Sequence, residues 1–281
     1  MTTAAAALAD ARRRGVASLD AQLLLAHVLA TTRTRLIAHD ERALTAEEAV
    51  RWQDAVERRL AGEPIAYLLG EKEFHGLVLE VDPNVLVPRP ETELLADWGS
   101  ELIARASERS PGDGGGIRVV DLGTGSGAIA LALKRRHPQS AVTATDLSPA
   151  ALGVARRNAG RLGLAIELVE SSWWQGLQGR RFDIAVANPP YIAADDPHLA
   201  ALRHEPAVAL TPGGDGLDAL RMIAAGAAAS LVPGGWLLLE HGYDQGAAVR
   251  SLLAGAAFQG IETRRDLGGH ERATGGRLAS S

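Results

Sequence analysis

Asn188-Pro189-Pro190-Tyr191 follows directly on an apolar run, Phe182 to Ala187, and combines residue types suited to holding a planar amino group. Two consecutive prolines supply no backbone donor and fix φ, so they force a rigid, extended turn. Such a turn holds the Asn188 carboxamide and the Pro189 carbonyl as two neighbouring acceptors. A planar NH2 that gives one hydrogen to each turns its π face toward an electrophile, and Tyr191 is of a type that stacks on such a plane. Methyl transfer from a sulfonium to an amide or amine nitrogen is the chemistry this arrangement serves, with Asn188, Pro189 and Tyr191 as its catalytic residues. The nitrogen proton becomes acidic once the nitrogen is alkylated, so no general base is required. The alternative for the tetrad is a purely structural Asn-Pro-Pro turn.

Two upstream signals supply a place for an adenosine-type cofactor. Asp121-Leu122-Gly123-Thr124-Gly125-Ser126-Gly127 ends one apolar run and leads into a helical stretch, Ala128 to Arg135. Glycines there let the backbone approach a ligand and place helix N-terminal amides beside it. Gly123, Gly125 and Ala128 also satisfy the nicotinamide-dinucleotide fingerprint, so the loop by itself leaves the cofactor open. Asp146, about 20 residues on, closes the next apolar run, where a carboxylate accepts from both ribose hydroxyls. Its alternative is a helix cap, a role that Ser148 before Pro149 fills equally well. Trp173 follows the third run and is of a type that packs on an adenine face or, as commonly, in a core.

The elements that must position these residues change character along the chain. From Ala4 to about Leu69 the apolar residues recur at helical spacing, with Leu19, Leu23 and Leu24 on one predicted face. Thr45 and Glu48 form a capping box for a helix carrying Val50, Trp52, Val56 and Leu60, which Gly62 ends. Pro64 suits the first turn of a short helix that stops at Gly70. Between Glu71 and Val87 the period falls toward two, predicting a hairpin around His75-Gly76. Val87-Pro88-Arg89-Pro90 is conformationally stiff. A helix from Thr92 to about Ala106 and a loop from Pro111 to Gly116 lead into the second half. There Ile117–Leu122, Ala141–Thr145, Ile166–Val169, Phe182–Ala187 and Trp236–Leu239 alternate with helical stretches, the pattern of a parallel sheet covered on both faces. Ligands bind such sheets beyond the carboxyl ends of their strands. The expectation is an α/β, doubly wound, Rossmann-like sheet behind a small N-terminal helical domain: residues 1–70 helical, 71–90 a hairpin and proline linker, 91–281 catalytic.

Composition bounds the partners. A formal charge of -5 and a pI near 5.9 provide no broad basic field for a nucleic-acid backbone. Arginine supplies all but Lys72 and Lys134 of the 29 basic residues, a coding bias and not low complexity. The chain has no cysteine, which removes disulfides and thiolate chemistry, and its eight histidines form no paired ligand motif, so no metal is expected. No uninterrupted apolar stretch approaches about 18 residues, and Met1 to Arg14 runs apolar before basic, the reverse of a secretory signal. A cytoplasmic monomer without membrane or direct nucleic-acid contact is expected.

In these motifs the sequence resembles the peptide chain release factor glutamine methyltransferases of the HemK type, along nearly its whole length. The likeness is carried by Gly62 to Gly70, Phe74, Val87-Pro88-Arg89-Pro90-Glu91-Thr92-Glu93, Asp121 to Ala130, Asn188 to Ile192, Asp196 to Leu199, Glu205-Pro206 and Leu238-Leu239-Glu240-His241-Gly242. The resemblance implies a class I methyltransferase fold that uses S-adenosyl-L-methionine, releases S-adenosyl-L-homocysteine and methylates the glutamine side-chain nitrogen of a Gly-Gly-Gln motif in release factors, with the ribosome close by. It places cofactor contacts on Gly123, Thr124, Gly125, Ser126, Gly127, Asp146, Trp173 and Asn188. It places substrate contacts on Asn188, Pro189, Pro190 and Tyr191, and gives the helical domain a part in docking the release factor. Arg89-Pro90 corresponds to an interdomain hinge beside the cofactor, or to a rigid linker only. One position departs from the family: Ser172 stands where an aspartate often precedes the tryptophan. The nearest competitor is an N6-adenine methyltransferase of DNA or RNA, which shares the Asn-Pro-Pro-Tyr tetrad and would flip its base into the same site.

Overall fold

The computed structural model describes residues 2–109 and 116–279. The loop expected at Pro111 to Gly116 lies, except for Gly116, outside the described residues. Two compact units divide the chain, Met1–Glu71 and Lys72–Ser281.

The first unit consists of α1 (Ala4–Arg13), α2 (Ser18–Val28), α3 (Arg33–Ala38), α4 (Ala46–Leu60) and α5 (Ile65–Leu69). Threonine side chains open three of them, Thr3, Thr32 and Thr45 each accepting from a first-turn amide. At Thr45 the capping box is complete, because the Glu48 carboxylate accepts the Thr45 amide in return at 2.9 Å. Ala4, Ala7 and Ala11 give α1 a smooth buried face, packed with Leu24, Leu25, Leu36, Trp52 and Val56. The predicted apolar faces are narrower in the structure. Leu19 and Leu60 are exposed, and Val50 is 70% exposed because it lies two residues, about 200°, around the helix from Trp52. Pro64 precedes α5 instead of entering its first turn, and Gly70, at φ +74°, ends it.

The second unit begins within the first strand of a hairpin, β1 (Glu71–Phe74) and β2 (Leu77–Glu80), turned by His75 and Gly76 at φ +54° and +75°. Both residues of such a two-residue turn need positive φ, which the glycine adopts without strain. After α6 (Glu93–Arg109) come β3 (Arg118–Leu122), α7 (Ala128–Arg136), β4 (Ala141–Asp146), α8 (Pro149–Leu162), β5 (Glu167–Glu170) and β6 (Phe182–Ala187). The chain continues through α9 (Asp218–Ser230), β7 (Leu231–Glu240), α10 (Gly246–Gly255), β8 (Phe258–Arg265) and β9 (Glu271–Leu278).

Seven strands form one sheet in the order β5-β4-β3-β6-β7-β9-β8. Strands β3 to β7 run parallel, as expected, but β9 is antiparallel to both neighbours, so the sheet is mixed and not all-parallel. Alternate residues face opposite layers: Val119, Ile184, Val186 and Leu238 pack with α6 and α7, whereas Val120, Ala185, Ala187, Leu237 and Leu239 pack with α9 and α10. Both faces are thereby buried. Asn158 of α8 is fully buried and ties the hairpin to the loop after β3. It accepts the Glu80 amide at 2.7 Å and donates to the Glu80 and Ser126 carbonyls, each at 2.9 Å.

Register sets the rim. Leu122 pairs with Thr145 and with Ala187, Thr145 with Val169, and Ala187 with Leu239. One residue further along each strand lies the row Glu170, Asp146, Gly123, Asn188 and Glu240. The central pair, β3 and β6, is the switch point at which the strand order reverses, where sheets of this kind bind ligands.

Candidate active site

The loop leaving β3 is held from behind. Asp121, fully buried, accepts from the Thr124 hydroxyl at 2.7 Å and the Ala130 amide at 3.2 Å through Oδ2, while its Oδ1 has no protein partner. Burial, with the nearby Asp146 charge adding to it, pushes the Asp121 carboxyl up to about 7. The Gly123 and Thr124 amides both donate to the Thr145 carbonyl of β4, which folds the loop over the strand end. Gly123 adopts φ +75°, and a Cβ there would stand 3.3 Å from the Trp173 ring. Absence of a side chain therefore both permits the turn and makes room for the indole.

Trp173 itself adopts φ +51°, a region that costs a residue with a Cβ about 1–2 kcal/mol. Ser171 holds it there: its hydroxyl donates to the Trp173 carbonyl at 2.7 Å and accepts the Gly176 amide at 2.8 Å. The Ser171 amide in turn donates to the Asp146 carbonyl at 2.9 Å. Asp146 takes the Gly125 amide on Oδ2 and the Ser148 amide on Oδ1, each at 2.9 Å, leaving lone pairs on both oxygens for further donors. Burial raises its carboxyl above the ordinary range, and those amides oppose the shift. Ser148 caps α8 through the Ala151 amide, as expected.

At the end of β6, Asn188 donates its Nδ2 to the Thr92 hydroxyl at 3.1 Å, so the amino end of the carboxamide, not the oxygen, is committed to the protein. Tyr191 is mostly buried. Its hydroxyl points to Glu240 Oε1 at 3.4 Å, and its carbonyl accepts from Gln245 at 2.9 Å. Burial and then the Glu240 charge drive the phenol well above its usual range. Glu240 is itself enclosed, with Oε2 lacking a partner, and burial pushes its carboxyl up to about 7.

These segments enclose a cavity of about 300 Å3. Gly123, Thr124, Gly125, Ser126, Asp146, Ser172, Trp173, Asn188 and Pro190 line it, together with Leu147, Thr92 and Arg89. Two segments meet across it: Glu205 accepts the Val87 amide at 3.0 Å and forms an ion pair with Arg89, tying residues 84–92 to residues 205–209. Of the candidate residues, Gly127 stands behind the wall at the start of α7, and Pro189 and Tyr191 fall outside the lining. Sequence reasoning missed Thr92, Ser171 and Glu240 as parts of the site. Thr92 and Glu240 stand inside motifs that carried the family resemblance, but no local pattern marks a side chain that acts on a partner 96 residues away. Among the described residues no cluster of three metal-ligating side chains occurs, and no helix is long and apolar enough to cross a membrane.

The residues fit an S-adenosyl group. A glycine-lined turn, an indole wall and a carboxylate with free lone pairs on both oxygens converge on one cavity, which lies at the lower end of the volume range of small-molecule sites. Sheet order and rim together define a class I methyltransferase. The same fold occurs in a 16S rRNA methyltransferase of Thermus thermophilus solved with AdoMet and guanosine, at 20% identity and a TM-score of 0.53 over 74% of this chain and 49% of that one. Family models match the PrmC N-terminal domain over residues 1–70 and the methyltransferase small domain over residues 93–239. A release factor glutamine methyltransferase of Xylella fastidiosa (strain Temecula1) is 49% identical across 99% of this chain and 98% of its own. One of Burkholderia pseudomallei is 49% identical across 93% and 92%. The chain belongs to the release factor glutamine methyltransferase family.

Proposed function

We propose that the enzyme transfers a methyl group from S-adenosyl-L-methionine to the side-chain nitrogen of the glutamine in the Gly-Gly-Gln motif of peptide chain release factors. The observation that carries this reading is the Asn188 carboxamide, whose amino end is tied to Thr92 and whose oxygen is left for a substrate NH2, on the same rim as the glycine turn. Gly123 to Ser126 and Asp146 hold the cofactor, the latter through the ribose hydroxyls, with Gly127 opening the helix behind them, while Trp173 walls its adenine and Asn188 borders it. When bound, the cofactor supplies a methyl group on a positively charged sulfur.

The chain's own task is positioning. An amide nitrogen lends its lone pair to its carbonyl, a resonance reflected in a rotation barrier of roughly 18–20 kcal/mol. Asn188 Oδ1 and the Pro189 carbonyl take the two hydrogens of the glutamine amide and favour positive charge building on that nitrogen, while Pro190 and Tyr191 shape the space around its plane. Alignment supplies on the order of 7–11 kcal/mol, and the acceptors a few more. The helical residues 1–70 dock the release factor, residues 71–90 link them to the catalytic residues 91–281, and the enzyme works in the cytoplasm as a monomer, near the ribosome.

Mass analysis of a release factor before and after incubation with the cofactor tests this directly. The expected result is one added methyl group on the glutamine of the Gly-Gly-Gln peptide. Methyl label appearing in DNA or RNA and not in the release factor would overturn the assignment in favour of adenine N6 methylation.

A further inference from the structure

Prolines at 189 and 190 carry no amide, so the turn that presents the substrate acceptors must be held through other groups. At its upstream end, β6 and the hydrogen bond from Asn188 to Thr92 do this. At its downstream end the peptide after Tyr191 is gripped on both sides. The Ile192 amide donates to the Leu210 carbonyl at 3.0 Å, and the Tyr191 carbonyl accepts from Gln245 Nε2 at 2.9 Å. The other end of the Gln245 carboxamide, Oε1, accepts the Gly242 amide at 2.9 Å. A backbone carbonyl can only accept and a backbone amide can only donate, so these two partners fix which end of the carboxamide faces which way. Gly242 is held in turn, its carbonyl accepting the Gln245 amide at 3.0 Å and His241 Nδ1 at 2.8 Å. His241 is fully buried, and its Nε2 meets the Thr274 hydroxyl at 2.8 Å, which anchors the loop to β9. Gly216 packs directly on the junction: a Cβ there would stand 2.4 Å from the Tyr191 carbonyl oxygen and 3.0 Å from Gln245 Nε2.

We propose that Gln245 is a positioning residue for methyl transfer: its carboxamide ties the Tyr191 carbonyl to the end of β7 and so holds the Asn-Pro-Pro-Tyr turn in the shape that aims the Pro189 carbonyl and the Tyr191 ring at the substrate amide. The inference rests on the reading of the chain as a glutamine methyltransferase. Gln245 stands outside the cavity lining, so it acts through Tyr191 and not on the cofactor. The end of β7 thus reaches Tyr191 twice, at the hydroxyl through Glu240 and at the main chain through Gln245. Losing the main-chain hold lets the turn shift on its two stiff prolines. A displacement of about 1 Å at a reacting group is enough to slow transfer by roughly one to two orders of magnitude.

The test compares Gln245→Glu and Gln245→Met with wild type, assayed for kcat on a purified release factor at saturating cofactor between pH 8 and pH 5, with cofactor Kd measured separately. At pH 8 the Gln245→Glu carboxylate still accepts the Gly242 amide but turns an acceptor toward the Tyr191 carbonyl, and Gln245→Met offers neither group. Both are expected to lower kcat about tenfold or more while Kd stays within about threefold. Once protonated, the introduced carboxyl presents an OH and a carbonyl where the carboxamide presents its NH2 and carbonyl. Around it stand Asp244, Glu271 and Arg250, the last paired with Glu271 at 2.9 Å, so it titrates at or above the ordinary glutamate value of about 4.3. The ratio of Gln245→Glu to wild-type kcat is therefore expected to climb at least about twofold from pH 8 to pH 5, whereas the ratio for Gln245→Met stays flat. Wild-type kcat in Gln245→Met, a flat ratio in Gln245→Glu, or a Kd that rises in step with the fall in kcat would each overturn the inference. Failure of the wild-type enzyme to methylate the release factor would instead strike the functional reading on which it rests.

Discussion

Replacing Asn188 by alanine separates transfer from binding. The substitution removes the acceptor that faces the substrate and the donor that faces Thr92 at 3.1 Å, but touches none of the backbone amides around Asp146. Loss of one preorganised hydrogen bond to a developing charge costs about 2.7–4 kcal/mol of barrier, or roughly two to three orders of magnitude in turnover. Loss of the Thr92 bond costs about 1 kcal/mol of stability, a fall of about 2–4 °C in Tm for a unit of this size. Cofactor affinity is expected to change little, since Gly123 to Ser126, Asp146 and Trp173 remain in place. Single-turnover transfer to a release factor gives the rate, calorimetric titration gives the cofactor affinity, and thermal denaturation gives the stability. Turnover within threefold of wild type at saturating cofactor would remove Asn188 from the catalytic role and refute the reasoning from the rim.

Three other outcomes follow from the geometry. Asp121, raised to about 7 in the fold from an ordinary 3.8, holds its proton in the native state between those pH values while the unfolded chain has lost it. Stability is therefore highest below pH 4 on this account and declines as pH rises to about 7, and Asp121→Asn is expected to flatten that decline in denaturant titrations at pH 5 and pH 8. Gly123→Ala places a Cβ at positive φ and 3.3 Å from the Trp173 ring, so cofactor Kd is expected to rise at least tenfold by titration, with the melting temperature of the apo-enzyme falling by about 2–8 °C. Arg89→Ala leaves the Glu205 carboxylate buried without its cation and is expected to cost about 3 kcal/mol in chemical denaturation, most of which Glu205→Gln in the same chain restores.

The parallel core and its rim were legible because each of the five expected strands is an apolar run bounded by turn residues, and ligand-binding residues cluster where such runs end. Strands β8 and β9 were not. Glu271 to Leu278 carries charged residues and two glycines, and reads as a loop until its neighbours are known: a Cβ on Gly275 would stand 2.4 Å from the Leu238 side chain and 2.9 Å from Trp98. Tertiary crowding, not strand preference, demands glycine there. Asn188, Asp146 and the glycine turn announced themselves through local motifs. Thr92 did not, since its role arises from a contact across the sheet rim. Tyr191 was read as a stacking residue from its type alone, whereas its hydroxyl is engaged inward by Glu240.

The Asn158 amide, shared between Glu80 and Ser126, has a consequence for moving this site elsewhere. Both of its hydrogens and one oxygen lone pair are spent on two distant stretches of backbone, so neither stretch is self-sufficient. A graft of the glycine turn with its strand and helix alone would carry a Ser126 carbonyl stripped of its donor, and a graft that added α8 without the hairpin would bury an amide with two of its three hydrogen bonds missing. The smallest transplantable piece of this methyl-donor cradle thus starts upstream, at β2.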